Sequence, residues 1–210
     1  MSKIQKYEGK ETTVFFDAAR CIHAGHCVHG LPDVFRANAK GPWINPDACD
    51  AETLAKLIES CPSGALRYET ERTKEATPAV NTVSVEKDGP LTIHADYTLN
   101  GEKPDSPRTT LCRCGASKIK PYCDGSHSDA GFTDDGEVTV FNPDEKQASG
   151  SVEIKTLKDG PLYLVGPHSI CDSNGKTARV CAKSALCRCG ASNSKPYCDG
   201  SHAGIGFKSE

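Results

Sequence analysis

The strongest constraint on this chain is a stretch that occurs twice and consists largely of metal-ligand chemistry. Residues 111–127 read L-C-R-C-G-A-S-K-I-K-P-Y-C-D-G-S-H, and residues 186–202 read L-C-R-C-G-A-S-N-S-K-P-Y-C-D-G-S-H. The copies differ only at Lys118/Asn193 and Ile119/Ser194. Each holds three cysteines and one histidine: Cys112, Cys114, Cys123 and His127, then Cys187, Cys189, Cys198 and His202. Three soft thiolates and one imidazole complete a four-ligand set for a transition metal or an iron–sulfur cluster. Zinc accepts the same set, but it usually takes paired cysteines two to four residues apart. Here a single residue, Arg113, separates Cys112 from Cys114. That spacing favours a [2Fe–2S] cluster, with the close pair on one iron and Cys123 with His127 on the other. Zinc comes second and a disulfide scaffold third, since residues 1–10 show no signal-peptide pattern and a cytosolic chain keeps its thiols reduced.

The pattern C-x-C-x2-S-x3-P-x-C-D-G-S-H resembles the motif of the CDGSH iron–sulfur proteins, the NEET family, at every defining position in both copies. The resemblance implies one [2Fe–2S] cluster per motif, held by the three cysteines and the histidine of each. Around the ligands, Asp124 and Asp199 sit where a helix N-cap is expected, which puts His127 and His202 in a first helical turn. Gly125 and Gly200 permit close backbone approach, and Pro121 and Pro196 stiffen the run into the third cysteine. Arg113, Arg188, Lys120 and Lys195 are either charge partners for the thiolates or exposed basic residues.

The repeat extends upstream of the ligands. K-D-G-P-L at residues 87–91 recurs 71 residues on, at 158–162, while the ligand blocks are 75 apart. Strand-type alternation flanks each turn, at 83–85 and 91–93, then at 152–154 and 162–164, so each Asp-Gly-Pro predicts a hairpin or arch. Phe132 and Phe207 follow the motif histidines by five residues as packing anchors. A repeat of about 50 residues buries too little to stand alone. Two such units therefore pair about a pseudo-two-fold axis and share a β-layer, as the family resemblance also implies, which makes a monomer the expected state. Residues 138–141 read as a further strand. The expected organisation is an N-terminal domain over 1–72, a linker over 73–82, a first CDGSH unit over 83–132, a linker over 133–150 and a second unit over 151–210.

Residues 1–72 follow a different pattern. Strands are expected at 13–16 and 66–68, and a helix at 50–60 with Asp50 as cap and Leu54, Leu57 and Ile58 on one face. Between them lie Cys21, Cys27 and the Cys61-Pro62 pair. A C-x5-C followed distantly by C-P is the ligand layout of a single-cluster ferredoxin whose middle cysteine is replaced, here by Ala24. Three thiolates suit a [3Fe–4S] cluster, or a [4Fe–4S] cluster whose fourth iron takes another ligand such as His23 or His26. A vestigial site with no cluster is the bland alternative. Over most of residues 10–70 the segment resembles the divergent mono-cluster ferredoxin-type domain, including C-x-H-x-G-x-C, P-W-I at 42–44 and C-P-S-G-A-L at 61–66. The remaining cysteines, Cys49, Cys171 and Cys181, are read as buried structural residues.

The fold class expected is α+β: a small ferredoxin-like N-terminal domain, then two pseudo-symmetric β-rich CDGSH units with short helices. A formal net charge of −3 carries no basic footprint for nucleic acid. The longest apolar runs, such as 162–166, are too short to cross a bilayer. The expectation is a soluble cytoplasmic protein, not an enzyme, that moves electrons to a redox partner or hands clusters to an apo-protein acceptor. The alternative is an interaction module that senses redox state, iron or pH through the same centres.

Overall fold

The computed structural model describes residues 4–71 and 73–209. Strands dominate and the helices are short, so the class is α+β. Two compact units form, Met1–Ala76 and Thr77–Glu210.

In the first unit, β1 (Gln5–Glu8), β2 (Thr12–Phe16) and β3 (Leu66–Thr70) make an antiparallel sheet in that order. Strand β1 was not expected, because Q-K-Y-E is mostly exposed and has no apolar alternation to mark it. A short helix α1 (His26–Gly30) and a longer α2 (Ala51–Glu59) complete the unit. Helix α2 starts where the Asp50 carboxylate accepts from Thr53 N–H at 2.9 Å, satisfying an amide that has no partner inside the helix. Leu54 and Ile58, one turn apart, are fully buried and share a core with Val14, Phe35, Ile44, Leu66 and Tyr68. Burying each such side chain contributes about 1.5–3 kcal/mol. Tyr68 Oη donates to Glu59 Oε1 at 2.7 Å, tying β3 to the end of α2.

The second unit holds β4 (Thr82–Val85), β5 (Leu91–His94), β6 (Tyr97–Leu99), β7 (Arg108–Leu111), β8 (Val152–Thr156), β9 (Leu162–Cys171) and β10 (Thr177–Leu186), with one-turn helices α3 (Ser126–Asp129) and α4 (Ser201–Gly204). The strands form one sheet in the order β6-β8-β9-β4-β5-β7, with β10 paired to β9. Each K-D-G-P-L turn closes an antiparallel hairpin, β4 with β5 and β8 with β9. Alternation sends Val83, Val85, Leu91 and Ile93 inward from the first, and Ile154, Leu162 and Leu164 from the second, into one core.

Two parallel pairings join the repeats. In β6 and β8, Thr98 faces Glu153 and Leu99 faces Ile154. In β4 and β9, Ser169 faces Thr82 and Ile170 faces Val83, the same pairs with the partners exchanged at the 71-residue offset. Parallel strands need long crossovers, and here the opposite repeat supplies them. Asn81 fastens this exchange. Its Nδ2 donates to Gly150 O and Pro167 O at 2.8 Å each, and its Oδ1 accepts from Asp96 N–H at 2.8 Å.

Residues 138–141 are not a strand. Phe141 N–H does donate to Ala178 O at 2.9 Å, but the next rung is made by a side chain. Asn142 Nδ2 donates to Val180 O and Asn142 Oδ1 accepts from Val180 N–H, so the amide side chain takes the place of a backbone ladder.

Asn81→Ala leaves two carbonyls and one N–H without their protein partner in a nearly buried place, which costs about 2–4 kcal/mol in total. Urea unfolding of the whole chain checks this. The midpoint for the second unit should fall with the slope unchanged, and an unmoved midpoint would contradict the role given to Asn81.

Candidate metal centres

Each ligand loop is held by the end of a strand. Cys112, the residue after β7, donates its N–H to Pro121 O at 2.8 Å, and Cys123 N–H donates to Thr110 O at 3.0 Å. The second loop repeats this, with Cys187 N–H to Pro196 O at 2.8 Å and Cys198 N–H to Ala185 O at 2.9 Å. The loop thus folds back on its own strand, with Leu111 across from Tyr122 and Leu186 across from Tyr197. Ser117 braces the bend from within, donating Oγ to Tyr122 O at 2.6 Å and accepting from Ile119 N–H at 3.2 Å. Ser192 makes the matching bonds to Tyr197 O and from Ser194 N–H. Both serines are buried and stand in the quoted motif, but its spacing alone assigns them no role.

The donors stand in couples. Cys112 Sγ and Cys114 Sγ are 3.6 Å apart, and Cys187 Sγ and Cys189 Sγ are 3.8 Å apart. Cys123 Sγ lies 3.4 Å from His127 Nδ1, and Cys198 Sγ lies 3.3 Å from His202 Nδ1. Among the described residues, no group of three or more His, Cys, Asp or Glu side chains converges on a single-ion site.

Backbone amides point at the sulfurs: Ala116 N–H to Cys114 Sγ and Gly125 N–H to Cys123 Sγ, both at 3.4 Å. Cys112 is pulled down to about 6 by the hydrogen bond from Cys114, against burial, while Cys114 is pushed up by that same bond. The pair gives up one proton readily and holds the second. Burial raises Cys123 to about 11 and lowers His127, so its imidazole is neutral and able to donate a lone pair. A bound cation would displace the remaining thiol protons.

The helix cap differs from expectation. Gly125 and Gly200, at φ +87° and +89°, are the N-caps of α3 and α4, one residue past Asp124 and Asp199. The carboxylates serve as braces instead. Asp124 accepts from Ser126 N–H at 3.0 Å and from Lys118 N–H at 2.8 Å, and Asp199 accepts from Ser201 and Asn193 N–H at 2.9 Å each. Partial burial works against ionisation of Asp124, but these donors hold its carboxyl well below the usual range.

The arginines are neither exposed nor simple thiolate partners. Arg113 is 1% exposed; its Nε donates to Gly89 O at 2.8 Å, Nη2 to Glu86 O at 2.5 Å and Nη1 to Asp134 at 2.6 Å. It thereby locks the first K-D-G-P-L turn to the ligand loop. Arg188 grips the second turn through Gly160 O at 3.0 Å and Leu157 O at 2.6 Å. Phe132 and Phe207 lie under these guanidinium groups at 5.0 and 5.6 Å. Each also donates its N–H to the motif histidine's carbonyl at 3.0 Å. Lys120 Nζ and Lys195 Nζ donate to Ser117 O and Ser192 O.

The two loops meet each other. Cys114 and Cys189 form an isolated antiparallel bridge. A Cβ on Gly115 would lie 2.9 Å from Cys189 O, and one on Gly190 would lie 2.7 Å from Cys114 O. Only glycine fits there, the more so at φ +83° and +82°.

In the first unit, Cys21 follows a 3-10 turn (Ala18–Arg20), Cys27 lies in α1, and Cys61 directly follows the Ser60 that ends α2. Burial raises Cys21 and Cys27, and the charge of Cys61 adds to both. His26 Nδ1 lies 2.9 Å from Ser60 O and ties α1 to the residue before Cys61. A carbonyl only accepts, so Nδ1 is the donor in this contact. His23 sits at φ +56°.

Paired soft donors in two matching loops, behind a small unit with three further cysteines, point to an iron–sulfur protein. The comparisons agree. A family model described as "Divergent 4Fe-4S mono-cluster" matches residues 7–71, and one described as "Iron-binding zinc finger CDGSH type" matches residues 88–128 and 159–203. The chain is 47% identical over 62 residues to the uncharacterized protein YjdI of Escherichia coli strain K12, covering 30% of this chain and 80% of that protein. It is 38% identical over 66 residues to CDGSH iron-sulfur domain-containing protein 1 of Rattus norvegicus, covering 30% of this chain and 56% of that one. No solved structure matches. The chain is an iron–sulfur protein of CDGSH type, with a divergent 4Fe-4S mono-cluster domain ahead of two CDGSH segments. Among the described residues, no helix is long and apolar enough to cross a membrane.

The two arginine clamps should respond unequally. Arg113→Gln strands the Asp134 carboxylate in a mostly buried place and should cost about 3–5 kcal/mol. Arg188→Gln removes bonds to two carbonyls and the contact with Phe207 but strands no carboxylate, and should cost about 1–3 kcal/mol. Urea unfolding of the two variants checks the order, and equal losses would contradict it.

Proposed function

We propose that this chain carries two [2Fe–2S] clusters, one on Cys112, Cys114, Cys123 and His127 and one on Cys187, Cys189, Cys198 and His202. A third cluster, [3Fe–4S] or [4Fe–4S], sits on Cys21, Cys27 and Cys61. The observation that carries the first part is the grouping of donors into couples 3.3–3.8 Å apart. One couple per iron is what a dinuclear cluster takes, whereas a single zinc ion draws four donors to one point. The amides aimed at Cys114 and Cys123 favour the negative charge of such a centre. The first unit is read as ferredoxin-like, its three cysteines each serving a different iron.

The reciprocal strand pairings and the Cys114–Cys189 bridge support a pseudo-two-fold relation between the CDGSH units, so one chain forms the whole assembly as a monomer. When bound, such clusters supply one-electron couples. The protein is then a carrier in the cytoplasm, passing electrons to a redox partner or a cluster to an apo-protein acceptor, and not a catalyst. The alternative is a redox-, iron- or pH-sensing interaction module. Electron exchange with a reductase, set beside cluster transfer to an apo-ferredoxin, separates the two carrier roles, and failure of both favours the sensor.

Cys114→Ser and Cys189→Ser test the ligand assignment. In anaerobically prepared, reduced protein, each should remove one dinuclear EPR signal and spare the other. A substitution that erases both signals or neither would contradict it.

A further inference from the structure

The iron–sulfur reading leaves Cys49, Cys171 and Cys181 unused, and Cys181 stands apart from the other two. It is half-buried, as Cys49 is, but it lies on β10 at a break in register between Cys181 and Lys183. Directly across the ladder on β9 lies His168, which is fully buried. His168 Nδ1 is 2.8 Å from Gly166 O, and since a carbonyl only accepts, Nδ1 carries the proton. That tautomer turns a bare Nε2 toward two groups, Ser184 Oγ at 2.8 Å and Cys181 Sγ at 3.3 Å. A nucleophile within reach of a base, and a base oriented by a third group, is the arrangement that assists thiol chemistry.

We propose that Cys181 and His168 form a thiol–imidazole couple that exchanges with small-molecule disulfides, a modification site separate from the iron–sulfur ligands. Burial lowers His168, which keeps the ring neutral. Burial also raises Cys181, with the Arg179 charge opposing and Glu145 adding to it, so the resting sulfur keeps its proton and needs the base. As Cys181 Sγ attacks one sulfur of the disulfide, its proton passes to His168 Nε2. A new S–S bond forms, the old one breaks, and the departing thiolate is protonated, so the added disulfide is the oxidant. The imidazolium is held meanwhile by Gly166 O and Ser184 Oγ. Cys171, by contrast, is buried and has only the Thr177 hydroxyl, at 3.8 Å.

The test exposes the full chain to glutathione disulfide and follows each cysteine by peptide mass mapping. Cys181 should form the mixed disulfide roughly tenfold faster than Cys49 or Cys171, and His168→Gln should bring it down to their rate. Cys181 reacting no faster than Cys49 in the unsubstituted chain overturns the proposal. So does an unchanged rate in a folded His168→Gln variant, which leaves His168 as a core residue that closes the bulge. The comparison within the unsubstituted chain decides even if the variant does not fold, and neither outcome depends on cluster content.

Discussion

Neither CDGSH repeat closes a core alone, and most of the second unit's structure follows from the way they share one. Val83, Leu91 and Ile93 from the first repeat pack with Ile154, Leu162, Leu164 and Ile170 from the second in a single buried cluster. The parallel pairs β6–β8 and β4–β9 carry each repeat's strand into the other's side of the sheet. The ligand loops that follow β7 and β10 meet at Cys114 and Cys189. Soft donors that lose solvation and repel one another as thiolates need such a frame to stay close. The frame here is made of neutral backbone bonds, the braces of Ser117 and Ser192, and two buried guanidinium groups.

Those guanidinium groups also make the repeats unequal. Where the first copy sets Asp134 against Arg113, the corresponding place in the second copy holds Ser209. Ser209 keeps the neutral part of the arrangement through its N–H and hydroxyl contacts with Asp159, but it brings no charge to Arg188. Burial accordingly lowers Arg188, with charge from Cys112 and Asp159 working the other way. Two centres with the same ligands thus sit in different electrostatic surroundings.

Much of this was legible in the residues, because ligand chemistry is local. The repeat exposes its own donors, and the K-D-G-P-L turns mark both hairpins. What stayed hidden depends on distant partners. Burial of Arg113 requires the carbonyls of Glu86 and Gly89, which local pattern does not connect to it. Alternation in β4 and β8 shows which side chains face inward but not which strand lies alongside, so the parallel exchange is invisible in periodicity. By residue type Asp124 suits an N-cap. The positive φ that moves the cap to Gly125 is a backbone property. Residues 138–141 carry two valines and a phenylalanine, strand formers by composition, yet Asn142 supplies the rung that a strand would need.

The central claim is that the paired donors hold two-iron clusters and not single ions. Iron, zinc and acid-labile sulfide, measured together per chain on anaerobically purified protein, test it most directly. The two CDGSH sites should account for about four irons and about four sulfides, with about three or four further irons if the N-terminal site is filled. About one zinc per CDGSH motif and no labile sulfide would contradict it.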